Sequence, residues 1–379
     1  MTRTEQMRNW TIKGGRVLTD GGFEETDLHL AEGRVVAEAA TDATEVSAKG
    51  CLVLPGIVDV HGDGFERVVR PRAGVDFPLP LALEESDRQM IGNGITTAFH
   101  GLTASWETGL RSFDTARAFL DTLAAVTPTL DCDTRVNLRW EVYCLDPVDE
   151  LISWLDRTPA MVLSLNDHLT PYLELPPDHR KIVRMAERMD ISREDVVARI
   201  AALRARADEV PAAVARVTAA ATARGLTVFS HDETSPEDRR ANRALGVTVS
   251  EFPMTWDTAR ESADGEEHIV LGAPNVLRGG SQNNAIDAEP AIAQGLCTVL
   301  ASDYYYPAQM LAAFALADRG IVPLEDAWAL VSSGPAEAVG LHDRGRLKQG
   351  LRGDLLILDA DTRRLKSVFV NGRRVLQRD

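Results

Sequence analysis

Several apolar runs in this chain end in side chains that bind metals or move protons. "VDVHGDG" places His61 two residues before Asp63, and "NLRWEVY" carries Glu141. "VLSLNDH" closes on Asp167 and His168, "VFSHDE" on His231, Asp232 and Glu233, and "VLASDYYYP" on Asp303, while His100 follows "GITTAF". Alone, each has an ordinary explanation: a core histidine bonded to a carbonyl, or an aspartate capping a helix. Recurrence changes the reading. Imidazole nitrogens and carboxylate oxygens at successive strand ends make a mixed donor set suited to Zn²⁺, with Mn²⁺ or Fe²⁺ as alternatives. Such an ion lowers the pKa of bound water from 15.7 to about 7, which is hydrolytic chemistry. Asp167 and Asp232 are placed to orient the histidines beside them.

A second set of residues could hold an anion. "RVVRPRAG" brings Arg67, Arg70 and Arg72 just after the first donor strand, and "NVLRGGSQNN" brings Arg278 before Gly279, Gly280 and Ser281. Arginine grips phosphate through two parallel bonds, and a Gly-Gly-Ser turn can aim backbone N–H groups at an anion. A solvated loop and a plain turn are the bland alternatives. Tyr304, Tyr305 and Tyr306 follow Asp303 and can pack on a sugar or enter the core.

Elements must bring these residues together. Candidate strands are Leu52–Val60, Thr96–Phe99, Arg135–Val142, Met161–Leu165, Thr227–Phe229, Thr248–Glu251, Ile269–Leu271 and Cys297–Leu300. Amphipathic stretches such as 109–126, 179–224 and 308–318 separate several of them. Repeated strand–helix alternation argues for parallel β/α architecture, and eight strands argue for a barrel whose strand C-termini share one mouth. His61 and Asp63, two apart on a strand, then point the same way. Both chain ends read differently, as short strands with Gly-Gly and Asn371-Gly372 turns.

Composition bounds the function. The chain has 379 residues, a net charge of −16 and 44% hydrophobic content. Acidity argues against nucleic acid as a partner. Four scattered cysteines, Cys51, Cys132, Cys144 and Cys297, support neither a disulfide framework nor a thiolate metal site. No apolar run approaches the roughly 20 residues of a membrane span, and no secretory leader is evident. The expectation is a cytoplasmic enzyme, independent of membranes, that can form a homodimer.

"LPGIVDVHGD", "RPRAGVDFP", "GITTAF", "SHDE", "EFPMT", "LGAPNVLRGGS" and "SDYYYP" together resemble the amidohydrolase superfamily. Within it they resemble the diphosphatases of the carbon–phosphorus lyase pathway, which convert α-D-ribose 1-methylphosphonate 5-triphosphate to the 5-phosphate and diphosphate. The resemblance implies a (β/α)8 barrel over residues 55–340, with a small β-sandwich built from residues 1–54 and 341–379. It implies one or two divalent ions, zinc foremost, held by His61, Asp63, Glu141, His168, His231 and Asp303. Glu141 would bridge two ions, because none of Lys13, Lys49, Lys181, Lys348 and Lys366 falls at a barrel strand end to serve as a carboxylated bridge. Asp303 would bind metal or accept the proton of water. Arg278, Gly279, Gly280 and Ser281 would bind a small anionic phosphorylated substrate, joined by Arg70, Arg72 and Tyr305. Gly62 and Gly64, where the family carries larger residues, should reshape the pocket floor. The main alternative is cleavage of a C–N bond in a cyclic amide or N-acyl substrate on the same metals. A non-enzymatic carbohydrate- or phosphonate-binding protein is a third class, and the full donor set argues against it.

Overall fold

The computed structural model describes residues 8–72, 74–158, 160–281 and 285–378. Five strands come first: β1 (Trp10–Thr19), β2 (Gly22–Ala31), β3 (Arg34–Val36), β4 (Thr44–Ser47) and β5 (Cys51–Pro55). Eight more follow: β6 (Ile57–Gly62), β7 (Ile95–Ala104), β8 (Asp133–Glu141), β9 (Met161–Asn166), β10 (Val228–His231), β11 (Val249–Glu251), β12 (His268–Gly272) and β13 (Val299–Ala301). The chain closes with β14 (Leu355–Asp359), β15 (Leu365–Val370) and β16 (Arg373–Gln377).

Strands β6 to β13 pair in parallel and in chain order. The ends of that sheet meet. Asp303 N–H donates to the His61 carbonyl and Asp63 N–H donates to the Asp303 carbonyl, both at 2.9 Å. The result is a β/α barrel. Its interior carries an apolar layer of Val58, Val60, Phe99, Val162, Phe229, Val249, Val270 and Val299. Helices cover the outside. In Phe113–Val126 the buried residues Phe113, Ala116, Phe119, Leu120 and Leu123 fall on one stripe, and Ser112 caps the first turn by accepting from Thr115 N–H. The long segment after β9 folds into helices Arg180–Met189, Arg193–Arg204 and Val210–Thr222.

The termini form a second sheet of order β16-β15-β14-β5-β1-β2-β3, with β4 parallel to β1. The Asn371-Gly372 turn joins β15 to β16 with φ of 50° and 71°. Two left-handed residues suit the twist of a tight hairpin.

One apolar run departs from expectation. Leu52–Val60 is not a single strand but β5 of the terminal sheet and β6 of the barrel, broken at Gly56. Pro55 precedes the break, and a Cβ on Gly56 would sit 2.2 Å from Thr96 Oγ1. Only glycine lets the chain pass from one sheet to the other there. Likewise β7 runs through His100 to Ala104, so His100 is not a strand end.

Candidate metal centre

His61 is the last residue but one of β6, where pairing with β7 shifts between Asp59 and Gly62. Such an irregularity re-aims side chains. It lets both Val60 and His61 face inward, against strict alternation. Below the site, fully buried Asp59 accepts from Ser302 N–H at 3.0 Å and Ser302 Oγ at 2.5 Å, tying β6 to β13.

The floor of the mouth is a buried carboxylate. Glu251, at the end of β11, has Oε1 2.8 Å from His61 Nδ1 and accepts from Asn137 Nδ2 at 3.2 Å; its Oε2 accepts from Ser164 Oγ at 3.0 Å and lies 4.0 Å from His231 Nε2. Burial alone would raise its pKa. His61 outweighs burial and brings it down to about 2, while Glu251 in turn raises His61.

Glu141, at the end of β8, engages His168 instead. Its Oε1 lies 2.5 Å from His168 Nδ1, and its Oε2 accepts from His168 N–H at 3.2 Å. The pairing holds Glu141 low despite burial. Glu141 and Asp232 lift His168 to about 9 against the opposing effect of burial. Asp232 stands 3.6 Å from His168 Nε2 and 3.2 Å from His231 Nδ1. His231 Nδ1 lacks a properly aligned hydrogen bond, and burial keeps the ring's pKa low. Asp303 is pushed up to about 6, first by burial and then by Asp63.

Three sets of donor atoms converge within 4.8 Å: His61, Asp63 and Asp303; His168, His231 and Asp232; and His61, His231 and Glu251. Imidazoles with carboxylates, one imidazole nitrogen being buried without a bond, fit a divalent ion. Asp232, Phe252 and Asp303 all adopt left-handed backbone, with φ of 57°, 54° and 55°. Aspartate tolerates this and phenylalanine does not, so strain is concentrated at the donor strand ends.

A cavity of about 440 Å³ opens over these groups, lined also by Arg67, Arg111, Arg139, Ser281 and Tyr304. Arg111 is held bidentate by Glu66 at 3.0 and 3.1 Å. Arg278 is exposed and donates to the Tyr304 hydroxyl at 3.3 Å, which places it behind a lining residue.

Other residues singled out in the sequence fall elsewhere. The N–H groups of Gly279 and Gly280 donate to the Asn275 carbonyl, and Ser281 N–H donates to Asp287, so this turn spends its donors internally; Gln282–Asn284 of the same motif lie outside the described residues. Arg70 forms an ion pair with Asp76 at 2.5 Å, Arg72 is exposed, and Tyr305 is 45% exposed away from the lining. Asp167 accepts from Thr170 N–H and Oγ1 rather than from its neighbour His168. Gly62 and Gly64 serve packing. A Cβ on Gly62 would lie 2.6 Å from Asp59 Oδ2, and one on Gly64 3.1 Å from the ring of buried Tyr306.

Three residues of the site escape the sequence reading, Glu251, Arg139 and Arg111, the last giving no signal because it lies on a short helical turn after β7. The signal for Glu251 was its place at the end of a candidate strand, inside "EFPMT". The signal for Arg139 was its place two residues before Glu141, on the same strand face.

A parallel barrel with clustered donors at its C-terminal mouth defines a metal-dependent hydrolase. The pattern of the amidohydrolase family matches residues 168–375, more than half of the chain, and the chain belongs to that family. It is 27% identical, over 346 residues, to the α-D-ribose 1-methylphosphonate 5-triphosphate diphosphatase of Escherichia coli (strain K12), covering 87% of this chain and 89% of that one. Similar solved structures include a prolidase complexed with N-methylphosphonate-L-proline (TM-score 0.64, 14% identity, 98% of this chain and 100% of that chain). Another is the dihydropyrimidinase from Brevibacillus agri NCHU1002 (TM-score 0.61, 13% identity, 97% and 95%). At such identities these structures speak to the fold alone. Among the described residues, no helix is long and apolar enough to cross a membrane.

Proposed function

We propose that this hydrolase cleaves a phosphoanhydride, converting α-D-ribose 1-methylphosphonate 5-triphosphate to the 5-phosphate and diphosphate in phosphonate catabolism. The observation that carries this reading is the placement of Arg67, Arg111 and Arg139 around the donor cavity of a chain whose net charge is −16. Phosphoryl transfer needs positive charge around its equatorial oxygens more than covalent help. The likeness to the E. coli enzyme supports the choice of substrate.

A divalent ion held by His61, Asp63, His168, His231, Asp232, Glu251 or Asp303, zinc first and manganese or iron next, would supply Lewis acidity and a more acidic water. The chain's own groups do the rest. Asp303, beside His61 and Asp63 in the mouth, takes the proton of the attacking water. The water oxygen bonds to phosphorus, the anhydride P–O bond between the first and second phosphoryl groups breaks, and diphosphate leaves with the electron pair. Arg67 and Arg139 orient the polyphosphate, Arg111 stays tied to Glu66 at the wall, and Arg278 holds Tyr304 against the polyphosphate.

Phosphorus NMR on a panel of ribose triphosphates, with proton NMR on cyclic amides and N-acyl compounds, tests this directly. Diphosphate should accumulate from the triphosphates, and Arg278→Ala should slow that release about tenfold. Turnover of an amide with no diphosphate from any triphosphate would overturn the proposal in favour of C–N hydrolysis.

A further inference from the structure

Arg139 sits between two of the donor groups. Its side chain is almost wholly buried, at 5% exposure for the residue, and it lines the donor cavity. Nη1 lies 3.5 Å from Asp63 Oδ2, a member of the first donor group; Nη2 lies 3.5 Å from His231 Nε2, a member of the second. Nε and Nη1 have no hydrogen-bond partner. Leaving two buried guanidinium donors unused is costly unless something else answers them.

Two of the candidate bridges between ions are also missing. None of the five lysines lies on β6–β13, so no carboxylated lysine can bridge. Glu141 is turned onto His168. The guanidinium carries a permanent positive charge between the two groups and competes with a second cation there.

We propose that the centre binds a single divalent ion, at His61, Asp63 and Asp303, and that Arg139 is the fixed second cation, covering the other donor group through His231. The inference concerns ion number and stands whether the substrate is a phosphoanhydride or an amide. The buried Nε and Nη1 of Arg139 keep its charge fixed between Asp63 and His231, where an ion would otherwise stand.

Metal counting on the full chain tests it. After chelation and reloading with excess Zn²⁺ or Mn²⁺, then gel filtration, elemental analysis should find about one ion per wild-type chain. The Mn²⁺ form should give the electron paramagnetic resonance spectrum of an isolated ion. Arg139→Met should raise the count to about two and produce spin-coupled manganese, whereas Arg139→Lys should stay at one. Asp63→Asn should lose the ion and Asp232→Asn keep it. Two spin-coupled ions in the wild type would overturn the proposal without any variant, pointing to Glu251, which reaches both His61 and His231, as a bridge. A folded Arg139→Met protein that still takes one ion would also overturn it.

Discussion

Glu251 and Glu141 are both buried carboxylates at barrel strand ends, and their partners make them behave differently on substitution. Glu251 fixes His61 through Nδ1 and is itself fixed by Asn137 and Ser164. Orienting a ligand imidazole in this way commonly matters 10–100-fold in metal affinity. Glu251→Gln should therefore weaken metal binding by at least about tenfold, measured by competition with a chromogenic chelator. Glu141 reaches the donor groups only through His168. Glu141→Gln should leave the ion count unchanged and act on turnover. If the two variants lose metal equally, the division of roles between these carboxylates is wrong.

At the scale of the element, β8 shows how one strand serves both stability and chemistry. Its upper end carries Arg139 and Glu141, and its lower end carries Asp133 among three arginines. Asp133 Oδ2 lies 2.5 Å from Arg344, 3.2 Å from Arg135 and 3.6 Å from Arg352, and Arg344 also donates to Thr97 on β7. Burial would raise its pKa, but Arg135 and Arg344 bring it down to about 2. A folded pKa below the unfolded value of 3.8 means that the stabilisation is present above about pH 4 and is lost as pH falls through 2. The displacement is worth about 2 kcal/mol. Denaturant melts should show Asp133→Asn less stable than wild type by about that amount at pH 7, with the gap closing by pH 2; a gap independent of pH would refute the linkage. Strands of this kind were legible because apolar runs recur between amphipathic segments, and all eight barrel strands were foreseen. The strand reading alone missed the split at Gly56, since a continuous apolar run gives no sign of a change of sheet; only the family resemblance put a boundary there, between residues 54 and 55. Glu251 and Arg139 were obscured for a related reason. Sequence shows that a residue ends or lies on a strand, whereas the choice of histidine for each carboxylate depends on which strands are neighbours across the barrel. Residues on loops fared worst, because local partners such as Asp76 for Arg70 and Asp287 for Ser281 compete for the groups an anion would need.

The whole molecule has two sheets but a shared core. Leu54, Leu356, Leu358 and Val368 of the terminal sheet pack in the same buried cluster as Ile57, Met90, Ile95 and Trp328 of the barrel side. Contact is close enough that a Cβ on Gly94, at the entry to β7, would lie 2.7 Å from Leu356 Cδ1. The chain crosses between sheets at Gly56, whose N–H donates to the Asp354 carbonyl beside β14. Trp328 Nε1 donates to the Pro55 carbonyl at the same junction. Separate domains joined by a linker would expose few apolar groups on parting, whereas here parting would open a core. Terminal sheet and barrel should therefore unfold as one unit. Leu356→Ala, which empties a fully buried position, should cost about 3 kcal/mol and lower the stability of both sheets together. Hydrogen exchange read by mass spectrometry across a denaturant series should show β1, β14 and β8 losing protection at one shared midpoint in wild type, and at one lower shared midpoint in the variant. If β14 opens first while β8 keeps its wild-type protection, the terminal sheet is an independent unit and cannot be what braces β6, with His61 at its end, against the rest of the barrel.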